Sequence, residues 1–104
     1  MMSLSAWLGI AAFVAVICAW LTARGLRACR TAARADWGRG WLNTLDGLNR
    51  IFCQRFHRLR AAHLPLPKHG PALVVANHVS GLDPLLLIAA SERPLRFIIA
   101  REQY

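Results

Sequence analysis

The chain has 104 residues, enough for about one small domain, and 13 lysines and arginines against 5 acidic residues give it a net charge of +8. Anionic lipids, nucleic acids and acidic substrates would all attract this charge, but a hydrophobic content of 56% is typical of a membrane protein and disfavours nucleic-acid binding. The three cysteines are odd in number and widely spread, so they match neither a disulfide framework nor a zinc pattern and fit a reducing compartment.

An uncharged apolar segment lies at the start of the chain, from Leu4 to Ala23. Its length is about what a helix needs to cross the hydrocarbon core of a bilayer, and Trp7 and Trp20 lie near its two ends, where interfacial aromatic residues are common. A signal peptide would carry positive charge before the apolar stretch, and here no charged residue precedes Leu4. The pattern therefore predicts a retained transmembrane anchor in residues 1–23, with a signal peptide as the main alternative and a buried core helix as a second one.

Positive charge follows the apolar segment at once. The positive-inside rule places this side of the membrane in the cytoplasm and the short N-terminus outside, which predicts a single-pass protein. Arginines this close to a membrane also attract anionic lipid headgroups. The residues concerned are Arg24, Arg27, Arg30, Arg34 and Arg39.

Residues 41–59 show the periodicity of an amphipathic helix within a basic region, residues 24–64. Apolar side chains recur at intervals of three and four residues, so they share one stripe of a helix. Two interpretations stay open: the helix lies on the membrane surface, or the stripe packs against a sheet. The stripe consists of Trp41, Leu45, Leu48, Phe52, Phe56 and Leu59.

The remaining residues, 65–104, read as the beginning of an α/β domain. After the breaker-rich "HLPLPKHGP", the run "ALVVA" predicts a buried strand, "PLLLIAA" a short helix, and "LRFIIA" a second buried strand. The order strand, loop, helix, strand predicts a parallel pair and an incomplete α/β fold.

Polar residues with chemical potential lie in the predicted loop between the first strand and the helix. His78 follows the carboxyl end of the strand, where open α/β sheets place their ligand sites. Asp83 and Pro84 predict a helix start, with Asp83 as the N-cap. Gly81 would let the loop turn tightly, so that Asp83 could orient His78 as a general base towards a hydroxyl.

Other chemistries fit the loop less well. Ser80 as a nucleophile would lack the Gly-x-Ser-x-Gly elbow. A metal site on His78 and Asp83 would lack a third ligand, because the other histidines are scattered along the chain.

The loop resembles a motif of the glycerolipid acyltransferases, the membrane family that includes the lysophosphatidic acid acyltransferases. The family's first motif is Asn-His-x-Ser-x-x-Asp, often followed by Pro, and "FIIAREQY" is similar to its next stretch, where a basic residue and a glutamate follow a strand. The matching residues are Asn77, His78, Ser80, Asp83 and Pro84, followed by Arg101 and Glu102.

The resemblance implies transfer of an acyl group from acyl-CoA or acyl carrier protein to a hydroxyl of a lysophospholipid, with no other cofactor and no metal. It makes His78 the general base and Asp83 its orienting partner, and it assigns substrate contacts to Asn77, Ser80 and Arg101.

The family's downstream arginine and Phe-Pro-Glu-Gly-Thr-Arg-type motifs do not occur here. We therefore expect an N-terminal part of a longer enzyme, which we call the full protein. The alternative is a non-catalytic membrane-anchoring or interaction segment.

Overall fold

The computed structural model describes residues 3–60, 63–77 and 79–98 of the chain. Over these ranges the fold consists of three helices and no strand: α1 (Leu4–Ala32), α2 (Gly40–Arg55) and α3 (Asp83–Ala90). The helix predicted after the polar loop is confirmed as α3. The predicted α/β architecture is wrong for this part of the chain, which is all helical.

The two segments predicted as strands are extended but unpaired. Residues 71–77 form no ladder, and neither do residues 94–98; the last two residues of "LRFIIA" lie outside the described ranges. Val75 and Ile98 are 87% and 96% exposed. The β-branched apolar runs indicate segments that are suited to burial. A parallel pair of strands, however, must be covered on both faces, and a sheet of only two strands has marginal stability. Of the described elements, only the short α3 lies between the two segments.

Helix α1 is the element that fits a membrane anchor. Its N-cap is Ser3, whose hydroxyl oxygen accepts a hydrogen bond from the Ala6 amide at 3.4 Å. None of its residues is buried, and it is the one helix in the described part of the chain that is long and apolar enough to cross a membrane. The helix continues past the predicted anchor because arginine is a good helix former. The guanidinium of Arg24 lies over the Trp20 ring, 5.3 Å from its centroid.

Helix α2 packs closely against the end of α1. Gly47 lies against the backbone of Cys29, an approach that only a residue without a side chain allows. The Asp46 carboxylate accepts hydrogen bonds from the backbone amides of Arg34 and Ala35 at 3.1 and 3.4 Å. The side chain of Asp46 therefore fixes the linker that follows α1 to the middle of α2.

The C-terminal end of α2 comes earlier than the periodicity predicts. Arg58 adopts a left-handed conformation with φ of 50°, and the Leu59 amide donates to the Cys53 carbonyl at 3.0 Å. The left-handed residue and this hydrogen bond form a C-terminal cap, which ends the helical region before Leu59.

Helix α2 buries its polar face and exposes its apolar face, which is the reverse of an ordinary core helix. Its buried residues include the charged pair Asp46 and Arg50, together with Gly47 and Cys53. The apolar stripe faces outwards: Trp41 is 59% and Phe56 75% exposed. Among the described residues this stripe stays largely exposed and no sheet packs on it.

Candidate active site

Three of the five predicted site residues fall in the described part of the chain: Asn77, Ser80 and Asp83. His78 and Arg101 lie outside the described residues, and the substrate and catalytic roles of all five stay predictions. Among the residues that the structure describes, no group of three or more His, Cys, Asp or Glu side chains is placed to hold a metal ion.

The carboxylate of Asp83 organises the loop before α3. Its Oδ2 atom accepts hydrogen bonds from the backbone amides of Val79 at 2.7 Å and Ser80 at 2.8 Å. The backbone amide of Asp83 donates in return to the Ser80 carbonyl at 3.1 Å, and the Ser80 hydroxyl oxygen accepts from the Leu82 amide at 3.1 Å. These reciprocal bonds close a tight turn at the N-terminus of α3.

The predicted N-cap role of Asp83 is wrong, although the predicted helix start is correct to within a residue. Leu82 occupies the N-cap position without a side-chain bond, and Asp83 is the first residue of α3, followed by Pro84. The carboxylate reaches back to loop amides that precede the helix instead of forward to amides within it. An aspartate in the first turn still interacts favourably with the helix dipole.

Gly81 does not have the role that the sequence suggested. It is not among the glycines with positive φ, which are Gly38 and Gly70. The turn is closed by the side chains of Ser80 and Asp83, which bind backbone amides as Ser and Asp often do in loops. The conformational freedom of glycine is therefore not what lets this loop bend.

The loop is accessible to a substrate. Asn77 and Ser80 are exposed, whereas Asp83 is half-buried at the helix start. In the sequence, residue 78 directly precedes the two residues, Val79 and Ser80, whose amides the Asp83 carboxylate binds. An anchored carboxylate beside an exposed polar loop suits proton-transfer chemistry on a bound hydroxyl.

Helix α3, which presents this loop, is attached to α2 by polar contacts. The Asn49 side-chain amide donates to the Leu85 carbonyl at 2.9 Å, and Arg50 donates to the Ala89 carbonyl at 2.7 Å and to the carbonyl of Ser91. The sequence analysis gave Arg50 no role. The signal that points to it is an Asp–Arg pair four residues apart, opposite an apolar stripe.

Comparison with known proteins gives one match. Residues 60–104 match the family model described as Acyltransferase. The match is shorter than half of the chain; it includes the polar loop and α3 and leaves α1 and α2 outside. No curated protein and no solved structure matches the chain. The family match supports acyl transfer as the general reaction and a transferase as the full protein.

Proposed function

We propose that the full protein transfers a fatty acyl group from acyl-CoA or acyl carrier protein to a hydroxyl of a lysophospholipid at the membrane surface. The observation that carries this proposal is the position of the motif Asn-His-x-Ser-x-x-Asp inside the segment that matches the acyltransferase family. The Asp83 carboxylate, bound to the backbone of that motif, supports it.

In the proposed mechanism His78 takes the proton of the acceptor hydroxyl as the oxygen attacks the thioester carbonyl. The new C–O bond forms, the C–S bond breaks, and the departing thiolate takes up the proton from the imidazolium. The negative charge of Asp83 stabilises the imidazolium while it exists. A positioned base of this kind contributes roughly 10²–10⁴-fold to the rate.

Three polar residues are proposed to contact the substrates. Asn77 and Ser80 are exposed in the polar loop and can hydrogen-bond the thioester or the acceptor. Arg101 carries a positive charge suited to a phosphate.

The helices before the motif suit an acceptor that is dissolved in a bilayer. Helix α1 would cross the membrane, and the exposed stripe of α2 would lie in the interface next to anionic headgroups. Under the positive-inside rule, the arginines after the apolar segment support a cytoplasmic position of the motif. A lysophospholipid would then reach the motif without leaving the membrane.

A second candidate function is membrane anchoring without catalysis. The exposed apolar surfaces of α1 and α2 favour it, since both would serve an anchor equally well. Membrane binding does not discriminate between the two functions, and acyl transfer does.

The test is an assay of the purified full protein in vesicles with a labelled acyl thioester. We expect label in a diacyl phospholipid when a lysophospholipid is present, and none when it is omitted. Release of free fatty acid alone would indicate a thioesterase and contradict the proposed acceptor. Absence of both products would favour the anchoring function.

A further inference from the structure

We propose that Asn49 and Arg50 are positioning residues, which hold α3 and its catalytic loop at a fixed place relative to the membrane-crossing helix. This inference rests on the proposed function, because it assigns a catalytic consequence to contacts distant in sequence from the motif. Neither side chain needs to contact a substrate in order to hold α3 in place.

Arg50 is bound from three directions although it is almost wholly buried, with 2% of the residue exposed. Its Nε donates to the Asp46 carboxylate at 2.8 Å, and its two terminal nitrogens donate to the carbonyls of Ala89 and Ser91. Those carbonyls lie at the C-terminal end of α3, where a helix favours positive charge. The planar fork of the guanidinium carries these donors on three separate nitrogens, so each acceptor has its own nitrogen.

Asn49 binds α3 close to its other end. Its side-chain amide donates to the Leu85 carbonyl, two residues after Asp83. The Cys53 thiol lies 3.6 Å from the Asn49 side-chain oxygen, and burial raises the pKa of that thiol, which keeps it neutral. An eight-residue helix has little stability of its own, so these contacts at two points determine where α3 lies.

The same segment of α2 is fixed to α1. The Oδ2 atom of Asp46 accepts hydrogen bonds both from Arg50 and from the backbone amides of Arg34 and Ala35 in the linker after α1. Gly47 is in close contact with the backbone of Cys29. A continuous set of contacts therefore runs from the anchor through α2 and α3 to the loop that Asp83 organises.

The hydrogen bonds of Asn49 and Arg50 determine the position of α3 more strictly than apolar contacts would. Hydrogen bonds lose energy steeply as their angle and distance change, whereas hydrophobic contact is non-directional. Misplacement of a catalytic group by about 1 Å can cost about 100-fold in rate. The Asn49 and Arg50 contacts are therefore expected to affect turnover more than substrate binding.

The test compares Arg50→Lys with Arg55→Lys in the full protein in vesicles. Lysine keeps the charge beside Asp46, but its three N–H donors lie on one nitrogen and cannot span the positions that the guanidinium fork reaches. We expect kcat to fall about 10- to 100-fold for Arg50→Lys while KM for donor and acceptor stays within about twofold. Arg55 is exposed on the same helix, and Arg55→Lys should leave both constants unchanged.

Amide hydrogen exchange on the same samples separates positioning from general loss of stability. In Arg50→Lys the amides of α3 should exchange faster, whereas those of α1 keep their wild-type rates. Asn49→Ala, which removes one bond to α3, covers the case in which Arg50→Lys does not fold, and its kcat should fall by about 3- to 10-fold.

An unchanged kcat in a folded variant, or unchanged exchange in α3, would overturn the proposal, and so would a rise in KM alone. If the wild-type protein transfers no acyl group while α3 still loosens in the variants, the proposed function has failed. The contacts then remain as a structural attachment without a catalytic role.

Discussion

At the residue scale, Asp83 illustrates what local sequence can and cannot predict. The pair Asp83–Pro84 predicts a helix start because proline fixes its own backbone and lacks an amide hydrogen, both short-range effects. The direction of the carboxylate depends on a competition between loop amides and helix amides of similar strength. The structure resolves this competition in favour of the loop amides of Val79 and Ser80.

Two substitutions at Asp83 separate its charge from its loop contacts. Asp83→Asn keeps an oxygen that can accept from the loop amides but loses the charge proposed to stabilise an imidazolium. Acyl transfer should fall at least about tenfold while the melting temperature changes little. Asp83→Ala also loses both loop bonds and should lower the free energy of unfolding by about 1–3 kcal/mol. Initial rates and thermal melting provide the measurements. Full activity of Asp83→Asn would show that Asp83 holds the loop but takes no part in catalysis.

Gly47 allows a sharp test of the contact between α1 and α2. A Cβ atom at this position would collide with the backbone carbonyl of Cys29, which cannot rotate away as a side chain could. Gly47→Ala should therefore destabilise the full protein by about 1–3 kcal/mol or more. Gly25→Ala is the matched control, since a Cβ there meets nothing within 4 Å and alanine favours a helix. Equal melting temperatures for the two variants would rule out the close approach.

At the element scale, the sequence predicts helices more successfully than strands. The stripe of α2 and the apolar run of α1 are periodic or continuous, so each can be recognised from its own residues. A strand needs a partner distant in the sequence, and the apolar runs of residues 72–76 and 95–98 carry no signal that such a partner is present. What an apolar face contacts is equally non-local, which is why the buried polar face of α2 was not predicted.

The exposed stripe of α2 is expected to bind membranes. A peptide of residues 37–62 should bind anionic vesicles, and binding should weaken with salt because part of the attraction is electrostatic. Replacing Leu48 and Phe52 with Ser should weaken binding at least about tenfold, since each apolar side chain contributes about 1.5–3 kcal/mol when fully buried. Replacing Asn49 and Gln54 with Ser is the control. Equal binding by the two variants, or none by the parent peptide, would assign the stripe to protein packing.

At the scale of the whole molecule, an exposed apolar helix leads into a small cluster of packed helices that carries the motif. Helix α1 has no buried residue, and the buried polar groups lie where α1 ends and α2 and α3 meet. A helix with this exposure suits lipid surroundings better than water. The sequence predicts the anchor from composition alone, whereas the polar contacts that join the three helices required the structure.

Membrane insertion and orientation follow from α1 and the arginines after it. The tagged full protein should stay in the membrane pellet after carbonate extraction, and protease protection should place its C-terminal part on the cytoplasmic side. Replacing Arg24, Arg27 and Arg30 with Ser should weaken that orientation, whereas replacing Arg55 and Arg58 should not, because they lie farther from the span. Release into the soluble fraction would contradict the anchor.

The most direct test of acyl transfer by the polar loop is the rate of lysophospholipid acylation by His78→Ala. The control is His69→Ala, which removes an exposed histidine a few residues earlier in the chain. We predict that His78→Ala lowers the rate by about 10²–10⁴-fold, as loss of a general base should, while His69→Ala keeps the wild-type rate and both variants stay in the membrane. Equal rates for His78→Ala and the wild type would contradict a catalytic role for this loop.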